Sequence, residues 1–237
     1  TYNKFVAKNM IIETSGNYRL AWSVCDNSKV SVLNSQSLTF GLTYNKKGFI
    51  FTAEGYLKNT GGITRFVETG SGTDPYEGDS KTKGVDIFIK KDFMDQTIWI
   101  SYTLSKTIEH FPYFPTTGFI PAMHDQRHEL KLAGLAKLKS FHLSVNYVLG
   151  SGFPDPDQLP ALIDYMQPYS RLDAALIYKL SKRKIHLDAG VSVLNVLNRE
   201  NVRYSNYTRI PTDETTTISL YAEAVPLTPT LFLNIYF

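Results

Sequence analysis

The chain has 237 residues, 20% of them charged and 43% hydrophobic, with a formal net charge of +3. That balance excludes a disordered chain, and no apolar run approaches the roughly 20 residues of a membrane helix. The charge is small and its Lys and Arg are scattered, so nucleic acid is excluded as a partner.

Taken in chain order, the segments repeat with period two. Leu38, Phe40, Leu42 and Tyr44 alternate with Ser37, Thr39, Gly41 and Thr43. Val85, Ile87 and Ile89 alternate with Gly84, Asp86, Phe88 and Lys90, and Ile98, Ile100, Tyr102 and Leu104 with Thr97, Trp99, Ser101 and Thr103. Leu130, Leu132, Gly134, Ala136 and Leu138 oppose Glu129, Lys131 and Lys137. Phe141, Leu143, Val145, Tyr147 and Leu149 then oppose His142, Ser144 and Asn146. Leu172, Ala174, Leu176 and Tyr178 oppose Arg171, Asp173, Ala175 and Ile177. Ile185, Leu187, Ala189, Val191 and Val193 oppose His186, Asp188, Gly190 and Ser192, and the final Leu231, Leu233, Ile235 and Phe237 alternate with Thr230, Phe232, Asn234 and Tyr236. Such alternation predicts strands with one apolar and one polar face. The fold class is all-β.

The connections fall into two kinds. Short polar turns are predicted at 45–48, 92–96, 138–140 and 181–183, and long irregular stretches at 59–82, 107–127, 151–168 and 198–216. Short and long alternate in order, as in an antiparallel transmembrane β-barrel with short periplasmic turns and long extracellular loops. A β-sandwich is the soluble alternative, since its strands bury one face in the same way. Loops of roughly 15–24 residues, all on one side, suit a sandwich less well.

Catalytic patterns are weak. His124 and His128 echo a zinc-binding helix, but Asp125 stands where the general base would be Glu, Gly134 disfavours a helix, and the period after His128 is two. The sequence around Gly150 and Gly152 lacks a nucleophile elbow, and residues 78–84 lack phosphate-loop spacing. Asp155 and Asp157 read as a solvated loop. Cys25 is the single cysteine, which rules out an internal disulfide. We expect no enzyme, no metal and no cofactor.

Four pieces carry a family resemblance. NMIIETSGNYRLAW (9–22), KGVDIFIKK with WISYTLSKTIEHF (83–111), and IPAMHDQRHELKL (120–132) are the first three. YSRLDAALIYKL, VSVLNVLNRENV and LFLNIYF (169–180, 191–202 and 231–237) together form the fourth. In order and spacing they resemble the carboxy-terminal half of a TonB-dependent outer-membrane receptor of the kind common in Bacteroidetes-type bacteria. Arg19 departs from the family pattern, which has an acid there.

The resemblance implies that residues 1–237 are the carboxy-terminal portion of a barrel of about 22 strands, of which this chain supplies roughly ten or eleven. The plug domain is absent from the sequence given. The chain starts TYNKF, without Met or an apolar leader, so either a signal was removed or the chain is a piece of something longer. It is then a fragment, one chain of a split barrel, or a smaller barrel closed on itself.

The implied function is TonB-coupled uptake of a scarce nutrient, such as a metal chelate, oligosaccharide or peptide, across the bacterial outer membrane. The implied partners are the rest of the barrel and plug, the TonB complex acting through that plug, outer-membrane lipid, the nutrient, and a surface lipoprotein. Ligand contacts in this half are expected in two aromatic loops, at Phe111, Tyr113, Phe114 and Phe119, and at Tyr165, Met166 and Tyr169. The bland alternative is that these rings pack the loops or join the aromatic girdle. Arg171, Asp173, His186 and Asp188 are expected to face the lumen and to pair there with one another or with plug residues, in structural roles. Two other classes compete: a non-transporting surface β-domain with a structural or adhesive role, and an outer-membrane hydrolase, for which no Ser and His are suitably placed. The final strand should turn Leu231, Leu233, Ile235 and Phe237 to lipid, and Thr230 and Asn234 to the lumen.

Overall fold

A computed structural model describes residues 2–5, 7–14, 17–25, 30–69, 72–114, 117–155, 165–182, 185–211, 217–223 and 225–236. Every helix-or-strand element among them is a strand. In order these are β1 (Tyr2–Phe5), β2 (Ala7–Thr14), β3 (Asn17–Val24), β4 (Leu33–Lys46) and β5 (Phe49–Thr69). Then come β6 (Gly72–Phe93), β7 (Gln96–His110), β8 (Ile120–Pro121), β9 (His128–Leu138) and β10 (Phe141–Gly150). The last are β11 (Tyr169–Lys182), β12 (Ile185–Leu194), β13 (Val202–Pro211), β14 (Thr217–Glu223) and β15 (Thr228–Tyr236).

One antiparallel sheet organises the chain, in the order β1-β4-β5-β6-β7-β9-β10-β11-β12-β15, with β8 added to β7. The pairs β2–β3 and β13–β14 form separate hairpins. The sheet is not closed. β15 pairs with β12 alone, and β1 pairs with β4 only over residues 33–36, which leaves the rest of that edge of β4 without a partner among the described residues.

The expected short turns stand at one end. Lys46 pairs with Phe49, Phe93 with Gln96, and Leu138 with Phe141, so each hairpin closes on two residues. Lys47 and Gly48 both have positive φ, 49° and 69°, the twist that suits a two-residue hairpin. Adjacent turns are tied together, with Asp92 N–H donating to Gly48 O at 2.7 Å, Lys137 N–H to Asp95 O at 3.0 Å, and Lys179 N–H to Ser140 O at 2.8 Å.

Two of the long stretches are corrected. Residues 59–82 are not irregular: the ladder continues to the pair Thr69 and Gly72, with a register shift between Thr60 and Ile63. Gly62, at φ +74°, absorbs that shift, and a side chain there would collide with the Val32 carbonyl. The glycines that read as a loop are therefore a bulge within a strand. Residues 198–216 include β13, which pairs with β14, so the returning strand that joins β12 is β15. The described residues of 107–127 and 151–168 are mostly irregular beyond the end of β7, with β8 and a Pro154–Tyr165 bridge, and 115–116 and 156–164 lie outside the described residues.

Register fixes the two faces, because directly opposed residues point the same way. One face reads, across successive strands, Tyr44–Phe51–Ile89–Ile100–Leu132–Tyr147–Leu172. On the later strands it continues through Leu176, Val191 and Leu231. Part of this face is open, with Phe40 81%, Leu38 69% and Leu231 81% exposed, while Phe51, Ile89, Leu132 and Tyr147 on it are half-buried. Leu233 and Ile235 share this exposed face with Leu231, while Phe237 lies outside the described residues. The opposite face carries the threonine pairs Thr43–Thr52 and Thr82–Thr107 and the ion pairs Lys90–Asp92, Lys131–Glu129 and Arg171–Asp173.

No second sheet lies over either face among the described residues, where the extensive contacts between strands are those of ladder neighbours. The sandwich alternative lacks its second layer. Leaving such an apolar face in water costs on the order of tens of kcal/mol, against a net stability of about 5–15 kcal/mol for a folded domain.

Candidate functional site

The end of the sheet opposite the hairpins carries the candidate aromatic residues, and the structure divides them. Phe111 follows β7 and is fully buried. Its ring meets those of Tyr113 and Phe114 at centroid distances of 5.4 and 5.5 Å, and Tyr113 meets Phe114 at 5.0 Å. Tyr76 of β6 closes the group with an edge contact to Tyr113 at 5.2 Å. The Arg65 guanidinium lies 4.6 Å from the Phe111 ring centroid and also bonds Glu109 at 2.8 Å. Gly78 makes room: a Cβ there would meet the Phe111 ring at 2.5 Å.

This nest packs β5, β6 and the loop after β7 together. Phe111 has no surface to offer a ligand in this arrangement, whereas Tyr113 and Phe114 are half-exposed. Phe119 stands apart. Its ring is exposed, 5.8 Å from the His110 ring and 4.3 Å from Lys81 Nζ, on the apolar side of the sheet.

The second group is brought together by backbone. Tyr165 bridges to Pro154, and Met166 N–H donates to Phe153 O at 2.8 Å. Gly152 allows this approach, because a side chain there would run into the Met166 carbonyl. Tyr165 is exposed, Met166 half-buried, and Tyr169 opens β11 on the polar face two residues before Arg171. Arg171 holds Asp173 through contacts of 2.7, 2.9 and 3.0 Å. Lys179 reaches Asp188 at 3.9 Å, and His186 Nδ1 lies 2.8 Å from Ser181 Oγ. Of the four residues expected to pair with one another or with plug residues, Arg171 and Asp173 pair with each other, whereas Asp188 meets Lys179 and His186 meets Ser181.

Residues 123–138 do not form a helix. His124 sits in a turn and His128 begins β9, where its ring stacks on Tyr102 and its Nδ1 lies 2.8 Å from the Tyr102 hydroxyl. Asp125 is the structural residue of this segment. It is 1% exposed, accepts the Thr107 N–H at 2.6 Å, and pairs with Arg127 at 3.0 Å.

Sequence reasoning missed the residues that pin the loop end. Asn195 is buried at φ +52°; its amide donates to the Arg199 and Val225 carbonyls at 2.9 Å each, and its backbone N–H donates to Asp173. Asn201 accepts the Ser170 N–H at 2.7 Å and donates to the Ser170 carbonyl at 2.9 Å. A signal was available for Asn195, which closes the alternating run 191–194 where an amide can cap backbone and tolerate left-handed φ, but Asn201 follows Arg199 and Glu200 and carries no such mark. Also missed was a row of outward aromatics beside the hairpins. Tyr44, Phe51, Phe93, Phe141 and Tyr178 sit there, with Phe141 and Tyr178 rings 5.1 Å apart. No protein-family model matches the chain, and no curated protein is similar to it.

Proposed function

We propose that this chain forms part of the wall of a bacterial outer-membrane β-barrel that acts as a TonB-coupled receptor and transporter for a scarce nutrient. One observation carries the membrane part of the reading: a single antiparallel sheet with one continuous apolar face, open to its surroundings from β4 to β15. A bilayer covers such a face, and outward aromatics beside the hairpins suit a membrane interface. Strands such as β9 and β10, of 11 and 10 residues, have the length a tilted membrane strand needs. In lipid the unpaired edges of β4 and β15 require further strands, because exposed backbone polar groups cost several kcal/mol each. The rest of the barrel supplies them.

The transport part rests on the sequence resemblance. In this reading the loop end faces outward from the cell, with Tyr113, Phe114, Tyr165, Met166 and Tyr169 available to a metal chelate, oligosaccharide or peptide, and Phe111 holding the loop that displays the first two. The plug, the TonB complex and a surface lipoprotein are the remaining partners. No covalent step occurs on the ligand.

Two measurements test the parts separately. Single cysteines placed at Ile100 and Ser101, in a Cys25→Ser background, should differ in whole cells: the first reacts with a bilayer-resident thiol reagent and the second does not. Equal reaction of both would sink the membrane reading. Uptake of iron chelates and glycans by cells with and without the gene, each with and without a proton ionophore, tests transport. Equal uptake on every source leaves the surface-binding alternative, in which loop variants lose adhesion alone.

A further inference from the structure

We infer that the outward face carries a binding site for a phosphate-bearing lipid, at the loop-ward border of the apolar band across β4 to β7. The inference rests on the lipid-facing reading above. A groove of about 770 Å³ lies there, lined by Leu38, Phe40, Gly55, Leu57, Val85 and Leu104. It exists because Gly55 interrupts a row of side chains: Phe40 opposes Gly55, which opposes Val85, which opposes Leu104. A Cβ at Gly55 would meet only the Gly84 carbonyl, at 4.0 Å, so the space outside it is open.

The next row toward the loops reads Leu57, Lys83 and Lys106, the two lysines directly opposed on the same face and both on the rim of the groove. Like charges in that relation repel. Neither lysine has an ion-pair partner among the described residues. On the polar face, by contrast, Lys90, Lys131 and Lys179 each meet a carboxylate. Lys81, two residues further along β6 on the same side, lies over the Phe119 ring. Arg127 also borders the groove, but Asp125 already holds it.

The complement of this surface is one molecule with two parts. An acyl chain fills the groove left by Gly55, and a phosphate lies between the ammonium groups of Lys83 and Lys106. Cations at the edge of an apolar span stand at the depth of lipid headgroups, where basic pockets take anionic lipids. A protein partner would need apolar contacts beyond the band, and the rim there is cationic.

The test uses the protein purified from its own membrane, stripped of lipid in detergent, and returned to vesicles. The vesicles are phosphatidylcholine alone, phosphatidylcholine with phosphatidylglycerol, and phosphatidylcholine with diphosphorylated lipid A. Native mass spectrometry then reads which lipid stays bound. The wild type should retain a phosphate-bearing anionic lipid over phosphatidylcholine, and the preferred anionic arm identifies the source. Lys83→Gln with Lys106→Gln should weaken that retention about thirtyfold, and Lys83→Arg with Lys106→Arg should restore it. Gly55→Leu, with both lysines intact, should also weaken it by filling the groove. Inorganic phosphate, which has no chain, should not compete. Entry into every vesicle with no anionic preference, or a preference unchanged in the glutamine variant, overturns this inference alone. Failure to enter any vesicle overturns the membrane reading beneath it.

Discussion

Two apolar regions of this chain have opposite fates. Around Phe111, rings from β6 and the loop after β7 close on one another, and protein covers the Phe111 ring completely while Tyr76, Tyr113 and Phe114 stay half-buried around it. On the outward face, residues of the same chemical kind run from Leu38 on β4 to Ile235 on β15, and no described residue lies over them. Hydrophobicity alone does not separate the two. The first region has a buried centre and the second, in the reading proposed above, is covered by lipid, so the same truncation should cost different amounts in each.

The largest effect is expected at the nest. Phe111→Ala removes a ring packed on all sides and should cost about 3–5 kcal/mol, read as a shift in the urea midpoint of the vesicle-inserted protein. The exposed Phe119→Ala should stay within about 0.5 kcal/mol in the same measurement. If the two matched, Phe111 would not be the core residue described here.

A charge sharpens the contrast between the faces. Ile100→Arg, in the middle of the outward band, should destabilise the bilayer form by about 2–4 kcal/mol, while Ser101→Arg, its neighbour on the polar face, should cost less than about 1 kcal/mol. Repeating both in detergent-free buffer is informative, because the penalty at Ile100 depends on the bilayer and should vanish without it.

Smaller is the effect of Asp125→Ala. It leaves the Thr107 N–H and the Arg127 guanidinium without their carboxylate, and should cost about 1–3 kcal/mol, with earlier hydrogen exchange at Thr107. The smallest change belongs to Lys90→Ala. Its ion pair with Asp92 is partly exposed near the hairpins and should be worth about 0–1 kcal/mol.

Much of this was legible before any coordinates. Alternation through Val85, Ile87 and Ile89, and again through Ile98, Ile100 and Tyr102, requires strands, and the polar breaks at 45–48, 92–96 and 138–140 mark hairpins that stand where expected. Residues 59–82 misled because a glycine pair reads as a loop, whereas Gly62 with positive φ lets a ladder continue through a bulge. Phe111 misled for another reason. An aromatic in a loop has the same local sequence signature whether its ring faces solvent or a neighbouring strand. The partners that bury it, Arg65 and Gly78, are more than thirty residues upstream.

By itself, then, the sequence determined most strands of the main sheet, their faces and most of the turns, because side-chain direction along an extended backbone alternates with period two and needs no distant partner. Only the tertiary structure decided which strands are neighbours, that among the described residues the sheet stays open at β4 and β15, that Asp125, Asn195 and Asn201 pin the loop end, and that Gly55 leaves a groove beside two lysines with no ion-pair partner among those residues. Each of these depends on register between segments distant in the chain. Register is set by long-range pairing, which no local pattern encodes.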